Sequence, residues 1–182
     1  MGFKLESLAL MKIKAISGDI TQIPTEAIIT AINSGGAWFG GIDGAIMRVA
    51  GDLFHRQAYN ALPLKQGDTV VAKGNGIKHL GEFANVVFVI DDLQGPLRDI
   101  VHNGLAAASH AGFKSVSLPA IRMGVMLGQV EKSPEEAVNE MVHGVRMFRE
   151  ENPKSAITDI TFVIYVDPDA LEMLQKQVAT IK

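Results

Sequence analysis

Asn85-Val86-Val87-Phe88-Val89-Ile90 decides the fold class of this chain. Its apolar residues do not alternate with polar ones, which is how a strand covered on both faces reads. Ile160–Val166 is a second run of that kind. Lys12–Ile16, Glu26–Ile32 and Thr69–Ala72 are also rich in β-branched residues, and Val116–Ile121 is a shorter sixth segment. Helical patterns lie between them. The clearest opens at Ser133-Pro134-Glu135-Glu136, where Ser133 caps, Pro134 suits the first helical position and Glu136 closes a capping box. Val138, Met141, Val142, Val145 and Phe148 follow at helical spacing until Asn152-Pro153. A second helix runs from Pro96 to Gly112, a third opens at Asp167-Pro168, and a short one spans Asp43 to Ala50. Buried strands alternating with helices predict a three-layer α/β/α sandwich with a largely parallel sheet.

The 182 residues fit one domain, with residues 1–10 as an extension and 11–182 as the folded unit. A chain this long buries roughly 70% of its unfolded surface, so it needs no disulfide or metal to hold it together. It contains no cysteine, which excludes thiol nucleophiles and cysteine-ligated zinc. Seventeen basic against 20 acidic side chains leave a net charge of −3, without the cationic footprint of duplex-binding proteins. No basic segment precedes a long apolar one at the N-terminus, and no apolar run approaches the ~20 residues of a spanning helix. The expectation is a cytoplasmic protein with neither membrane nor nucleic-acid partners.

Glycine is clustered. Asn33-Ser34-Gly35-Gly36-Ala37-Trp38-Phe39-Gly40-Gly41-Ile42-Asp43-Gly44 leaves a strand and enters a helix. Such a loop lets backbone N–H groups approach an anion, and the helix N-terminus adds a favourable dipole. A phosphate site and a plain turn both fit that pattern. A second loop, Ala120 to Gly128, also leaves a strand, and ligands of open α/β sheets sit beyond the carboxyl ends of strands.

Gly18-Asp19-Ile20-Thr21, Glu26–Asn33, Gly40-Gly41-Ile42-Asp43-Gly44-Ala45-Ile46 and Ala50-Gly51, taken in this order, resemble the macro domain. That family binds ADP-ribose and its derivatives. The spacing of Asn33 from Gly40-Gly41-Ile42-Asp43 is similar to the signature of the subgroup that hydrolyses ADP-ribosyl or O-acetyl-ADP-ribose esters. The likeness extends more loosely to Val178 and implies a mixed, largely parallel central sheet. It also implies ADP-ribose as ligand, an ADP-ribosylated protein as a partner, and no cofactor or metal.

Residue by residue, the resemblance implies that Asp19 accepts a hydrogen bond from the adenine amino group, with the backbone of Ile20 beside it. A carboxylate suits that task because it only accepts. Gly40, Gly41 and Ile42 would offer amides to the diphosphate and distal ribose, Asn33 would bind the distal ribose hydroxyls, and Asp43 would orient or deprotonate water. Gly124, Val125 and Met126 would close over the diphosphate, and Tyr165 would lie near the adenosine. The chain departs from the family pattern in Thr30-Ala31-Ile32-Asn33, where the first Asn is missing. It departs again in Gly124-Val125-Met126-Leu127-Gly128, where an aromatic is lost. Trp38 and Phe39 are expected to restore an aromatic wall from the opposite loop. These departures leave three readings open: a site that turns over, a reader module that only binds, and a macro fold whose pocket has drifted to a different ligand.

Blander readings stand beside these. Asp19 also fits a cap before Thr21, Asp43 a helix N-cap, and Asn33 a turn closure. Trp38 and Phe39 also fit a cover for the edge of the core. His55, His79, His102, His110 and His143 show no metal-ligand spacing and read as surface or helix positions. Asp91-Asp92 has no third ligand in register, and the methionines read as core filler.

Overall fold

The computed structural model describes residues 10–37 and 40–181. The elements are β1 (Lys12–Ser17), β2 (Thr25–Ile32), α1 (Gly41–Ala50), α2 (His55–Asn60), β3 (Thr69–Lys73) and β4 (Phe83–Ile90), then α3 (Leu97–His110), β5 (Ser115–Leu118), α4 (Pro134–Glu151), β6 (Asp159–Ile164) and α5 (Pro168–Val178). One six-stranded sheet has the order β1-β6-β5-β2-β4-β3. Every pairing is parallel except that of β3 with β4. The mixed, largely parallel sandwich is therefore the observed fold.

Alternation along the central strands explains why their sequences look continuously apolar. Ala27, Ile29 and Ala31 of β2 and Val87 and Val89 of β4 point into a layer filled by α3, α4 and α5. Ile28 and Ile32 of β2 and Val86, Phe88 and Ile90 of β4 point into the other layer, with Ile46 of α1 and Phe54 and Ala58 at α2. At period two, a strand with both faces covered must be apolar at every position.

The strand and helix boundaries depart from the sequence reading at a few places. β5 stops at Leu118 and β6 at Ile164, because Pro119 and Val166 begin the turns that form the site. α1 begins at Gly41 with Gly40 in the capping position, so Asp43 lies in the first turn and is not its N-cap. The six-residue α2 carries no periodic signal strong enough to announce it. The Ser133 cap is seen as expected, with its hydroxyl accepting from the Glu136 amide at 3.1 Å.

α3 and α4 meet closely at Gly144, where a Cβ would lie 2.5 Å from the Arg98 carbonyl oxygen and 2.8 Å from Val101 Cβ. Gly144→Ala is expected to lower stability by about 1–3 kcal/mol, the range for overpacking a close-packed interface. Urea unfolding of the variant measures it.

Candidate ligand-binding site

Because β1, β2, β4, β5 and β6 run in one direction, their carboxyl ends and the segments that follow gather at one edge of the sheet. From β2 the chain proceeds to β4 on one side, while β5 leads to β6 on the other, so the connections diverge between β2 and β5. Crevices form at such switch points. A cavity of about 630 Å³ opens there, within the size range of small-molecule sites. Asp19 and Ile20 follow β1, Thr30 and Ala31 end β2, Gly40 to Arg48 contribute one wall, and residues 119–126 and 163–167 contribute others.

Nearly all residues singled out from the sequence border this cavity: Asp19, Ile20, Gly40, Gly41, Ile42, Asp43, Gly124, Val125, Met126 and Tyr165. Asn33 does not. Its Oδ1 accepts the amides of Gly35 and Ala37, both at 3.0 Å, so its side chain closes the turn after β2. Short Asn side chains commonly hydrogen-bond the backbone a few residues on. Trp38 and Phe39 lie outside the described residues. Asp19 caps the short helical turn Ile20–Gln22, its Oδ1 accepting the Thr21 amide at 2.9 Å and hydroxyl at 2.8 Å, and it is exposed toward the cavity. Tyr165 stands at the rim, exposed.

Backbone groups are among the donors of the cavity. The first-turn amides of Gly41 and Ile42 have no intrahelical acceptor, and among the described residues no side chain caps α1. The dipole of α1 adds to the attraction for an anion. Two non-glycine residues at positive φ shape the walls, Arg122 at 60° and Val166 at 50°. For a β-branched residue this is a strained conformation, and strain of that kind gathers at binding and catalytic sites.

Sequence reasoning missed two side-chain arrangements. Arg122 is buried and grips two carboxylates. Its Nε and one terminal nitrogen donate to Asp91 Oδ2 and Oδ1 at 2.8 and 2.7 Å, and the other nitrogen donates to both Glu131 oxygens at 3.0 Å. Glu131 Oε1 also accepts the Leu97 amide at 2.8 Å, so one guanidinium ties the end of β4, the loop after β5 and the start of α3. Burial works against its charge, but the bonds and charges of Asp91 and Glu131 outweigh that and push its pKa up. Asp91 is thus a partner of Arg122, while Asp92 accepts the Ser34 amide.

In the second arrangement, His55 is a helix position, as one of the two sequence readings had it, but not a surface one. It is buried, and its Nε2 lies 3.0 Å from Asp43 Oδ1. Burial raises the Asp43 pKa. The hydrogen bond and charge of His55 pull it down, as does its own backbone amide, and the balance is upward. A histidine twelve residues from its carboxylate, on a helix too short to show a period, leaves no trace in the sequence pattern.

Comparison with known proteins places the chain. A Macro domain family model matches residues 29–137, so the chain belongs to the macro domain family. An uncharacterized protein of Aquifex aeolicus is 27% identical over 91% of this chain and 97% of its own length. The O-acetyl-ADP-ribose deacetylase of Escherichia fergusonii is 31% identical over 63% of this chain and 69% of that protein. Among solved structures, the Trypanosoma brucei macrodomain in complex with ADP superposes with a TM-score of 0.74 at 25% identity, covering 91% of this chain and 68% of that one. The same macrodomain in complex with ADP-ribose gives 0.73 at 24% identity, covering 95% and 72%. No helix among the described residues is long and apolar enough to cross a membrane.

Arg122→Met is expected to lower stability by about 3–5 kcal/mol, because it strands two buried carboxylates. Adding Asp91→Asn and Glu131→Gln removes those charges and is expected to recover part of the loss in urea unfolding.

Proposed function

We propose that this cavity binds ADP-ribose or a close derivative. The observation that carries the reading is the convergence of Asp19, Gly40-Gly41-Ile42, Asp43, Gly124-Val125-Met126 and Tyr165, from four separate strand ends, on one cavity. The complexes of the Trypanosoma macrodomain with ADP and ADP-ribose support it. In this reading Asp19 accepts from the adenine amino group through Oδ2, since its Oδ1 serves the turn, and Tyr165 flanks the adenosine. The amides of Gly41 and Ile42 and of the 124–126 loop meet the diphosphate, for which oriented N–H groups need no side-chain charge.

Hydrolysis of an ADP-ribose ester is the finer reading, supported by the likeness to the Escherichia deacetylase. Asp43 would hold a water against the acyl carbon, accepting one of its hydrogens, while loop amides stabilise the charge that develops. A specific observation favours the alternative, a reader that binds ADP-ribosylated proteins without turnover. Asn33, which the family resemblance assigns to the distal ribose, has its carbonyl oxygen committed to the turn. Deacetylation of O-acetyl-ADP-ribose, assayed beside calorimetry with ADP-ribose, separates the two. Turnover that Asp43→Ala lowers about a hundredfold or more, on the scale of a lost acid–base group, establishes the enzyme. Binding without turnover establishes the reader, and absence of ADP-ribose binding overturns both.

Asp19→Ala is expected to weaken ADP-ribose by about 1.5–3 kcal/mol, the range for a hydrogen bond to a charged group. Wild-type protein should bind the hypoxanthine analogue, which lacks the exocyclic amine, correspondingly less. Equal calorimetric affinity for the two bases would remove Asp19 from the adenine site.

A further inference from the structure

The layer between the sheet and the α1–α2 pair is built from Ile28, Ile32, Ile46, Phe54, Phe88 and similar residues. Into this apolar setting the chain places a carboxylate and an imidazole, Asp43 at 3% and His55 at 9% exposure, joined at 3.0 Å. The His55 ring meets the edge of Phe88 with centroids 4.9 Å apart. A buried polar pair is a poor device for stability, since apolar residues of the same volume commonly do as well or better. This pair also borders the cavity through Asp43, in the first turn of α1 beside the amides that line it.

We propose that His55 is a positioning residue for the ligand site. Its Nε2–H donates to Asp43 Oδ1, favours the ionised carboxylate against its apolar surrounding, and leaves Oδ2 as the acceptor for a hydroxyl or water held in the cavity. The tautomer follows from the partner, because an ionised carboxylate only accepts. The inference rests on the ligand reading for what Oδ2 meets, whereas control of the Asp43 charge is a property of the free protein.

The sign of the effect is fixed by the pair. Without the imidazole, burial acts on Asp43 with only its own backbone amide opposing it. The carboxyl then titrates at higher pH than in wild type, so at a given pH a larger share of it presents an O–H where the cavity needs an acceptor. The other ionisable groups facing the cavity act differently. Asp91 and Arg122 neutralise one another in the clamp with Glu131, while Asp19 caps the turn after β1 and Asp167 caps α5. Arg48 lies farther along α1 on the same wall. On α2, Arg56 pairs with Asp52, and β3 offers Lys73, exposed and tied to Gln57 through its backbone. β4 presents Phe88 to His55 and no charge.

The test is a carbon-13 NMR titration of the Asp43 carboxyl in the ligand-free protein, assigned with Asp43→Asn, in wild type, His55→Ala and His55→Gln. His55→Ala is expected to move the Asp43 midpoint up by about one pH unit, the scale of losing a hydrogen bond to the charged form of a buried carboxylate. His55→Gln keeps a neutral donor and should fall between. Calorimetry with ADP-ribose should then show affinity falling as pH drops through the variant's measured Asp43 midpoint, about tenfold per unit of midpoint shift at pH values below it, and recovering as pH rises. An Asp43 midpoint unchanged in the two variants overturns the proposal, as does an affinity loss that is the same at every pH. Should neither variant fold, wild type still decides. A His55 Nε2 resonance that tracks the Asp43 titration supports the pair, and independent titrations refute it. Wild-type protein that fails to bind ADP-ribose removes the proposed function, and the carboxyl titration still decides the pairing.

Discussion

The parallel register of β2 with β4, from Thr25 against Phe83 to Ile32 against Ile90, sends side chains alternately into two apolar layers. Parallel neighbours cannot be joined by a tight turn, so each connection must cross a face of the sheet and carry a helix or an edge hairpin with it. The strand ends are thereby brought to one edge, and the connections that leave them become the walls of the cavity. Loops there answer to two demands. They must join the layers, and in the proposed reading they must also leave backbone donors directed at a ligand.

The second demand is met in part by burying charge. Arg122 sits at positive φ in the loop after β5 and holds two carboxylates from different segments. A planar guanidinium offers donors in a fixed fork, so its two carboxylate partners are fixed in direction as well as in distance. The loop that carries Gly124, Val125 and Met126 begins two residues beyond this anchor. A lysine offers a point charge without that fork, so the directions of the two carboxylates would no longer be fixed.

The layers are legible in the sequence because hydrophobic pattern is a sum over many residues. Val86 to Ile90 and the Ser133-capped helix each carry redundant signals, and an exception at one position does not erase the period. The cavity wall is legible through the family likeness, which reads spacing along Gly18–Asp19 and Gly40–Asp43. What stays hidden depends on single long-range contacts. Neither the Arg122 clamp nor the Asp43–His55 pair follows from periodicity, since each joins positions whose separation is set by tertiary packing. α2, at six residues, is too short to repeat a period of 3.6 convincingly. Asn33 shows the converse, a residue whose local turn chemistry, legible in Asn33 followed by Gly35-Gly36, describes what the side chain does in the structure.

The charges around the cavity bear on how it can hold an anion. Asp19, Asp43, Asp91 and Asp167 border it against Arg48 and Arg122, and the positive charge of Arg122 is already matched. Arg122 therefore cannot be the main attraction for a diphosphate. The backbone amides of the first turn of α1 and of the 124–126 loop can be, because N–H groups and the helix dipole attract an anion whatever the residue type. A cradle of that kind depends on φ and ψ and on glycine where the chain must pass close to a phosphate. It is insensitive to most side-chain replacements. Replacements at Thr30 and Met126 would thus leave such a cradle in place. Changes at Arg122 or Val166, which set the backbone path of the walls, would reach the ligand even though no atom of theirs need touch it.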